Sequence, residues 1–354
     1  MHYVFLSTGS WAGNASMVRP RELGRQMIAR GIDVTYAVDD VDYNRNNLGV
    51  DPKANVALTP NHGRLAQHRR RRRTISSLKP DFVHVINPAP KSCAALWGSK
   101  WPVVGDWDEW PAMRPFGFFR HGMEVYLEHW LRNRAALVVV ASRYLQEQFH
   151  QRHGLQATYI PYAAYLPDHP PSTTPFRRAT AVYMGNLYPA YDHDLLFQAA
   201  VQLKARGKSH PITFMGHGPD LEKWREFVRD NDLPHLDVAG FTTGEELWRR
   251  LRHAHVLLFP IRPTLLNLAR CPSKTFAYAQ ARRPVITNRV GEIPEVLGDK
   301  ATYVDTTPEA FAKAIDDAMS YAELPDVDYG IERHNWSDRT DTLLAALNSA
   351  KRSS

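Results

Sequence analysis

The sequence predicts an α/β protein made of two doubly wound, Rossmann-like domains that face each other across a cleft. Short apolar segments that suit parallel strands alternate with helical segments along most of the chain. The chain of 354 residues is longer than a domain with a single hydrophobic core usually is, and its length suits two domains. A stretch rich in Pro, Ser and Thr at 166–178 interrupts the alternation, which restarts after it.

These observations place the first domain at residues 1–168, a linker at 169–178 and the second domain at 179–330. Residues 331–354 are predicted to form a C-terminal helix, because their leucines follow a helical spacing. Packing of this helix back on the first domain is one arrangement open to it.

The composition predicts a globular protein of the cytoplasm. Hydrophobic residues make up 44% of the chain, which allows a full core, and no apolar run approaches the ~20 residues that span a bilayer. The N-terminal segment begins as a strand and lacks the cationic start of a signal peptide. Cys93 and Cys271 lie far apart without metal-ligand spacing, so we expect reduced thiols.

The positive charge is concentrated in the first half of the chain. Residues 1–168 carry 21 Lys and Arg against 14 Asp and Glu, whereas residues 169–354 carry 23 of each sign. Arg69 to Arg73 are five consecutive arginines in a predicted helix, which is either a solvated face or a contact for phosphate or lipid headgroups. We therefore expect an anionic partner: the inner face of a membrane, a phosphorylated molecule or a nucleic acid.

Aromatic side chains are concentrated at residues 110–120, beside arginines. Three interpretations are open: a lid over a bound ligand, a peripheral contact with the bilayer interface, or packing beneath a loop. The residues concerned are Trp110, Arg114, Phe116, Phe118, Phe119 and Arg120.

Polar residues follow several predicted strands of the first half. The strand at 2–7 leads into a small polar loop, whose glycines do not form the spaced dinucleotide fingerprint. The strand at 81–86 ends at Asn87, and the strand at 102–105 leads into three carboxylates within 106–110. These carboxylates favour either ligand binding with base chemistry or the capping of a helix.

The segment 257–297 combines a strand end, a loop and a helix start with several cations. The helix opens near Pro272, and Arg262, Arg270 and Lys274 lie in the loop or at the helix start. Backbone N–H groups, the helix dipole and these cations together suit an anion, for which the phosphate of a nucleotide is the expected ligand. An ordinary strand, loop and helix with solvated cations is the alternative.

Four segments of the second half follow one another in the order known from one enzyme family. Together they resemble the nucleotide-binding domain of the GT-B-fold glycosyltransferases, specifically the family-4 retaining group (glycosyltransferase group 1 type). The likeness covers most of residues 180–320 and is weak in the first half. The segments are VYMGNLYPAYDHDLLFQAA, TFMGHGPDLEKW, DVAGFTTGEELWRRLRHAHVLLFP and CPSKTFAYAQARRPVITNRVGEIPEVL.

The resemblance implies a site for a nucleotide-diphosphate sugar in the second domain, with Phe241 beside the nucleobase. The implied donor-binding residues are Gly185, Asn186, Gly216, His217, Phe241, Arg262, Pro272, Ser273, Lys274, Thr275 and Glu292. No cofactor is implied besides this donor substrate, and no metal.

The chain departs from the family pattern at two points. The two family glutamates separated by seven residues correspond to Ala269 and Ala277, and Asn186 stands where an arginine is common. Lys274, with Arg270 or Arg262, must then neutralise most of the diphosphate. Glutamate 292 or backbone groups near residue 275 are the alternatives for the ribose.

The resemblance assigns the first domain to the acceptor. The expected acceptor-binding residues are Gly9, Ser10, Asn14, Asn87, Trp107, Glu109 and His121. The expected catalytic residues are Lys274, Arg270, Asp106 and Asp108. The acidic pair has the spacing of a metal motif but lies in the acceptor half, so we expect no metal there.

The predicted function is therefore transfer of a sugar from a nucleotide donor to a glycan, lipid-linked or small-molecule acceptor, with retention of anomeric configuration. The missing glutamates motivate one alternative, a catalytically weak module that binds a nucleotide or glycan. The arginine run motivates another, a glycosyltransferase acting on modified DNA bases. A sugar epimerase of the same fold is a further alternative.

Overall fold

The computed structural model describes residues 1–11, 15–48, 53–62, 64–111, 117–164, 178–189, 191–321 and 323–353. The chain divides into two compact units. The first contains residues 1–163, Leu268–Cys271 and the chain from Asn335 onward, and the second contains Ala164–Asn267 and Pro272–His334. The predicted linker lies, apart from Arg178, outside the described residues, so its bounds stay a prediction.

The first unit is built around a parallel sheet. Its strands are β1 (His2–Leu6), β2 (Asp33–Asp40), β3 (Asn55–Pro60), β4 (Phe82–Ile86), β5 (Val103–Trp107), β6 (Leu137–Val140) and β7 (Thr158–Tyr159). Its helices are α1 (Val18–Ala29), α2 (Asp42–Asn47), α3 (Arg64–Leu78), α4 (Pro90–Leu96), α5 (Phe118–Arg134) and α6 (Arg143–His153). The order β3-β2-β1-β4-β5-β6-β7 reverses direction between β1 and β4, where open α/β sheets bind ligands.

The second unit repeats this plan. Its strands are β8 (Ala181–Met184), β9 (Ile212–Met215), β10 (Leu236–Gly240), β11 (Val256–Phe259), β12 (Val285–Thr287) and β13 (Thr302–Tyr303). The helices are α7 (Asp194–Ala205), α8 (Leu221–Asp230), α9 (Gly244–Arg252), α10 (Leu265–Ala269), α11 (Ser273–Ala281), α12 (Ile293–Leu297) and α13 (Pro308–Met319), followed by α14 (Trp336–Ser353) of the first unit. The parallel order β10-β9-β8-β11-β12-β13 reverses between β8 and β11.

The central strands of both sheets are buried on their two faces, which explains their continuous apolar runs. In β1, Tyr3, Val4 and Phe5 are buried, and in β11 every residue from Val256 to Phe259 is buried. The prediction of two Rossmann-like α/β domains is confirmed. The short helices α2, α4 and α10 were not predicted, because segments of five to seven residues are too short to show a helical period.

The C-terminal helix α14 packs against α1 within the first unit. Arg30 at the end of α1 donates to Asp341 at 2.9 Å and to the hydroxyl of Ser337 at 2.7 Å. In the ranges that the structure describes, no helix is both long and apolar enough to cross a membrane.

Candidate functional site

Lys274 lies at the point where the strand order of the second sheet reverses. It is the second residue of α11, after Pro272, whose extended backbone begins the helix without a side-chain cap. Its Nζ atom lies 4.6 Å from the ring centre of Tyr183 in β8 and 4.7 Å from that of Phe259 in β11. The two ring faces stabilise the ammonium group between the two strands on either side of the reversal.

Glycines allow the backbone of two loops to approach this lysine. The Gly185 amide donates to the carbonyl of Met215 at 2.9 Å, which joins the end of β8 to the end of β9. A Cβ atom on Gly216 would lie 1.8 Å from the Gly185 carbonyl oxygen, and one on Gly185 would lie 2.3 Å from Nζ of Lys274. Only residues without a side chain therefore permit this packing.

Tyr278, one helical turn after Lys274, ties α11 to the same two strands. Its buried hydroxyl accepts from the Met184 amide at 2.7 Å and donates to the Leu258 carbonyl at 3.1 Å. Burial raises the pKa of this phenol, so the hydroxyl keeps its proton and can donate. The sequence analysis did not identify Tyr278, because its role depends on two strands that are distant in the chain.

Two aromatic rings follow β9 and β10. His217 and Phe241 have ring centres 5.1 Å apart and an interplanar angle of 77°. Phe241 is 65% exposed, in a loop whose following residues Thr243 and Gly244 are exposed as well. A planar ligand can stack on such a ring at little cost.

Arg262, in the loop after β11, is bound to carboxylates at the start of α7. It donates two parallel hydrogen bonds of 2.8 Å to Asp194 and a third of 2.8 Å to Asp192. The bond to Asp194, followed by that to Asp192, raises the arginine pKa above its ordinary value against the opposing effect of burial. Because two carboxylates balance its charge, this geometry favours a structural role over the predicted neutralisation of a diphosphate.

His193 is a further neighbour of this loop, and the sequence analysis did not identify it. Its side chain is buried, and its Nε2 atom lies 3.6 Å from Asp220. Burial lowers the histidine pKa to about 4 although Asp220 opposes this effect. The imidazole is therefore neutral near pH 7, where a second cation near Lys274 would be unfavourable.

The other predicted donor residues are distributed as follows. Thr275 and Glu292 are buried, at the starts of α11 and α12, while Asn186 and Ser273 are half-buried. Arg270 is also half-buried, but it lies in the Leu268–Cys271 segment, which belongs to the first unit.

In the first unit, Asp106 at the end of β5 is buried within a polar network. Arg19 of α1 donates to its two oxygens at 2.6 and 3.0 Å, and His84 of β4 lies 2.9 Å from one of them. His84 also contacts the hydroxyl of Tyr3 at 2.7 Å. With both oxygens engaged and no exposed surface, Asp106 is placed to position Arg19, and this geometry does not favour the catalytic role that the sequence analysis predicted for it.

Asp108, two residues further, lies at the end of the same strand. It accepts from the Tyr162 hydroxyl at 2.9 Å and from the amide side chain of Asn87, whose own oxygen accepts from the Asp108 backbone at 3.2 Å. The predicted residues Asn87 and Asp108 are thus brought together. Trp107 between the two carboxylates points into the hydrophobic core, which does not suit acceptor contact.

The remaining acceptor candidates lie near the switch point or on α5. The Gly9 amide donates to Asp39 at 2.7 Å, Ser10 is exposed, and Glu109 is half-buried. His121 is exposed in the first turns of α5, and Asn14 lies outside the described residues. The described ranges contain no group of three or more His, Cys, Asp or Glu side chains arranged to hold a metal ion.

The fold and the cation-bearing switch point define a two-domain α/β protein of the nucleotide-binding kind. A family model described as "Glycosyl transferases group 1" matches residues 178–320, and one described as "Glycosyltransferase Family 4" matches residues 18–162. The sequence matches no curated protein. The chain belongs to the group 1, family 4 class of glycosyltransferases.

Solved structures show the same fold over nearly the full chain. HepE of Anabaena, in complex with UDP and glucose, is 13% identical, with a TM-score of 0.75 over 99% of this chain and 100% of that one. TarM of S. aureus, in a complex that contains UDP and α-GlcNAc-glycerol, is 9% identical, with a TM-score of 0.72 over 98% and 99%. Sucrose-phosphate synthase of Thermosynechococcus elongatus is 14% identical, with a TM-score of 0.68 over 98% and 94%.

Proposed function

We propose that the chain transfers a sugar from a nucleotide-diphosphate donor bound in the second unit to a hydroxyl group of an acceptor bound by the first unit. The position of Lys274 is the observation that carries this proposal. The ammonium group lies at the switch point of the sheet, at the start of a nine-residue helix, and beside a glycine turn. Anionic phosphates bind at such points because backbone N–H groups and a cation converge there.

In this proposal, Lys274 stabilises the charge on the departing diphosphate. The bond between the anomeric carbon and the diphosphate oxygen breaks, and the acceptor oxygen bonds to the anomeric carbon. The acceptor oxygen attacks on the face from which the diphosphate leaves, which gives retention, and its proton passes to the leaving phosphate oxygen, so no protein base is needed. Electrostatic stabilisation of this kind is often the largest single contribution to catalysis.

The nucleobase is proposed to stack on Phe241, with His217 against the ring edge-on. The exposed ring and the neighbouring glycine turn support this placement. The presence of UDP in two structures of the same fold supports a uridine nucleotide as the donor.

The acceptor is proposed to bind at the switch point of the first sheet, against Asn87 and Asp108. Because Asn87 and Tyr162 both donate to Asp108, this carboxylate is held in one orientation. A glycan or small-molecule hydroxyl suits the half-buried side chains of Asn87 and Glu109, with the largely buried Asp108 beside them. We assign Asp106 to the positioning of Arg19, and we propose that no metal participates.

A thermal-shift and calorimetric panel of UDP, GDP, ADP and TDP, with their sugars, tests the donor site. Ligands that bind only the folded state raise the midpoint. Lys274→Ala should weaken binding of the preferred diphosphate by roughly 10- to 100-fold, because a charged hydrogen bond is worth about 1.5–3 kcal/mol. Lys274→Arg should retain part of the affinity.

Lys313→Ala on α13 is the matched control, because Lys313 is exposed and forms only a surface pair with Asp317. Consumption of the donor sugar with candidate acceptors is measured alongside binding. Equal diphosphate affinity in wild type, Lys274→Ala and Lys313→Ala would overturn the proposed site.

A further inference from the structure

Helices α3, α4 and α5 lie side by side on one face of the first sheet. The connections from β3 to β4, from β4 to β5 and from β5 to β6 all run in the same direction across the sheet. Because such crossovers are right-handed, their helices share a face. Contacts of α3 with α4 and of α4 with α5 agree with this placement. We refer to the outer surface of these three helices as the basic face.

The basic face carries positive charge with almost no negative charge. Residues 62–105 contain nine Lys and Arg and a single acidic residue, Asp81, which precedes β4. The two acidic residues of α5, Glu124 and Glu128, are only 6% and 7% exposed. The helices α3 and α4 contain no acidic residue.

The arginine run does not act as five equivalent charges. Arg71 is buried and bonded to Asp39, so it belongs to the core of the unit. Arg69, Arg72 and Arg73 instead line an open groove of about 330 Å³ together with Ser76. The Arg72 guanidinium is held in place, because it donates to the Trp97 carbonyl at 2.9 Å.

Large apolar side chains are exposed on α5 and at the end of α4. Phe118 and Phe119 at the start of α5 are 87% and 90% exposed, although their rings are only 5.8 Å apart. Trp97, at the end of α4, is half-exposed and stacks on Trp130 of α5 with ring centres 5.5 Å apart. Exposed aromatic clusters of this kind mark contact surfaces in soluble proteins.

We propose that the basic face binds the surface of an anionic lipid bilayer. The groove of Arg69, Arg72 and Arg73 takes the lipid phosphates, and Phe118 and Phe119 enter the headgroup region. Each basic side chain near an anionic bilayer contributes about 1 kcal/mol, and aromatic rings favour the bilayer interface. A nucleic-acid duplex is bound through its phosphates by cations alone, which leaves two adjacent, exposed phenylalanines unexplained. This proposal for the basic face does not depend on the proposed nucleotide-sugar site at Lys274.

Co-sedimentation of the full chain with vesicles tests the proposal. Vesicles of phosphatidylcholine are compared with vesicles that also contain phosphatidylglycerol, at low and at physiological salt. The wild type should bind the anionic vesicles and lose affinity as salt rises. Arg69→Gln/Arg73→Gln should reduce partitioning by roughly 10- to 30-fold, and Phe118→Ser/Phe119→Ser by at least about 10-fold.

Two variants of the second unit serve as matched controls: Arg206→Gln/Arg229→Gln, with the same loss of charge, and Tyr321→Ser, with a loss of exposed ring. Both should bind like the wild type. All variants should keep the thermal unfolding midpoint of the wild type and the increase in that midpoint on nucleotide binding. This readout separates the proposal for the basic face from the proposal for Lys274. Absence of wild-type binding to anionic vesicles, or binding of duplex DNA in its place, would overturn it.

Discussion

Arg262 and Asp194 form a parallel, two-bond ion pair across the switch point of the second sheet, with both distances at 2.8 Å. The arginine follows β11, and the aspartate begins α7 after β8. Asp192 accepts from the Arg262 side chain and also from its backbone amide, at 2.9 Å. The two loops that border Lys274 are therefore joined by paired charges.

A double-mutant cycle of Arg262→Met and Asp194→Asn should show coupling in the free energy of unfolding of about 1 kcal/mol. Paired, geometrically ideal charges couple more than ordinary surface pairs, yet both side chains are about one-third exposed. Urea unfolding and nucleotide calorimetry on the four proteins measure this. If Arg262→Met removed nucleotide binding while Asp194→Asn left both binding and stability unchanged, Arg262 would be a direct phosphate ligand instead.

Gly216→Ala should disrupt the donor site. The added Cβ atom would lie 1.8 Å from the Gly185 carbonyl oxygen, so the turn after β8 must move away from Lys274. We expect at least about a 10-fold loss of nucleotide affinity and a loss of roughly 1–3 kcal/mol in stability. Gly122→Ala on exposed α5, where nothing lies within 4 Å, should be neutral or slightly stabilising. Nucleotide binding that survives in Gly216→Ala would show that this loop packing is dispensable.

The stability of the second unit should fall as the pH is lowered from about 6.5 to about 4. Burial lowers the pKa of His193 to about 4 in the folded chain, so the unfolded chain binds more protons in this range. His193→Asn should remove part of this slope, up to about 3 kcal/mol between the two limits. Unfolding free energies at intervals of pH measure it, with His121→Asn as the control. Parallel curves for wild type and His193→Asn would contradict the expected role.

Asp106→Asn should destabilise the first unit by about 3–5 kcal/mol, because it leaves the Arg19 guanidinium buried without its counter-charge. Burial opposes ionisation, but Arg19 and His84 together lower the pKa of Asp106 below its ordinary value. Its contribution to stability is therefore present above about pH 4 and is lost as the pH falls further. Asp42→Asn, at an exposed surface pair, is the control and should change stability by less than about 0.5 kcal/mol. A wild-type denaturation curve for Asp106→Asn, with acceptor turnover abolished, would instead indicate direct catalysis.

The course of the chain was predictable wherever an element was long enough to show its period. The strands predicted at 2–7, 81–86 and 102–105 agree with β1, β4 and β5 within a few residues, and the helix predicted for the arginine run is α3. Hydrophobic periodicity and turn residues are properties of neighbouring positions, so they can be identified directly in the sequence. The placement of Lys274 at a helix start after a strand was predictable for the same reason, because it depends on neighbouring residues.

The pairing of the charged residues was not predictable in this way. The arginine run illustrates this, since only the fold shows that Arg71 is buried against Asp39 while Arg69 and Arg73 face outward. The arginines of the run are the same residue type and have nearly the same neighbours in sequence, so the sequence does not distinguish one from another. Burial depends on which face of α3 meets the sheet, and a helix without apolar periodicity does not reveal its inner face.

The sequence by itself therefore determined the α/β class, the two repeats of alternating strands and helices, and the loops that bear ligand-binding residues. Tertiary structure alone decided which charges neutralise one another: Arg262 meets carboxylates about 70 positions away, and Arg19 meets Asp106 across 87 positions. Local periodicity is a property of neighbouring residues. Long-range ion pairs depend on the spatial order of the parallel strands in the sheet, because that order brings distant loops to one edge of the sheet.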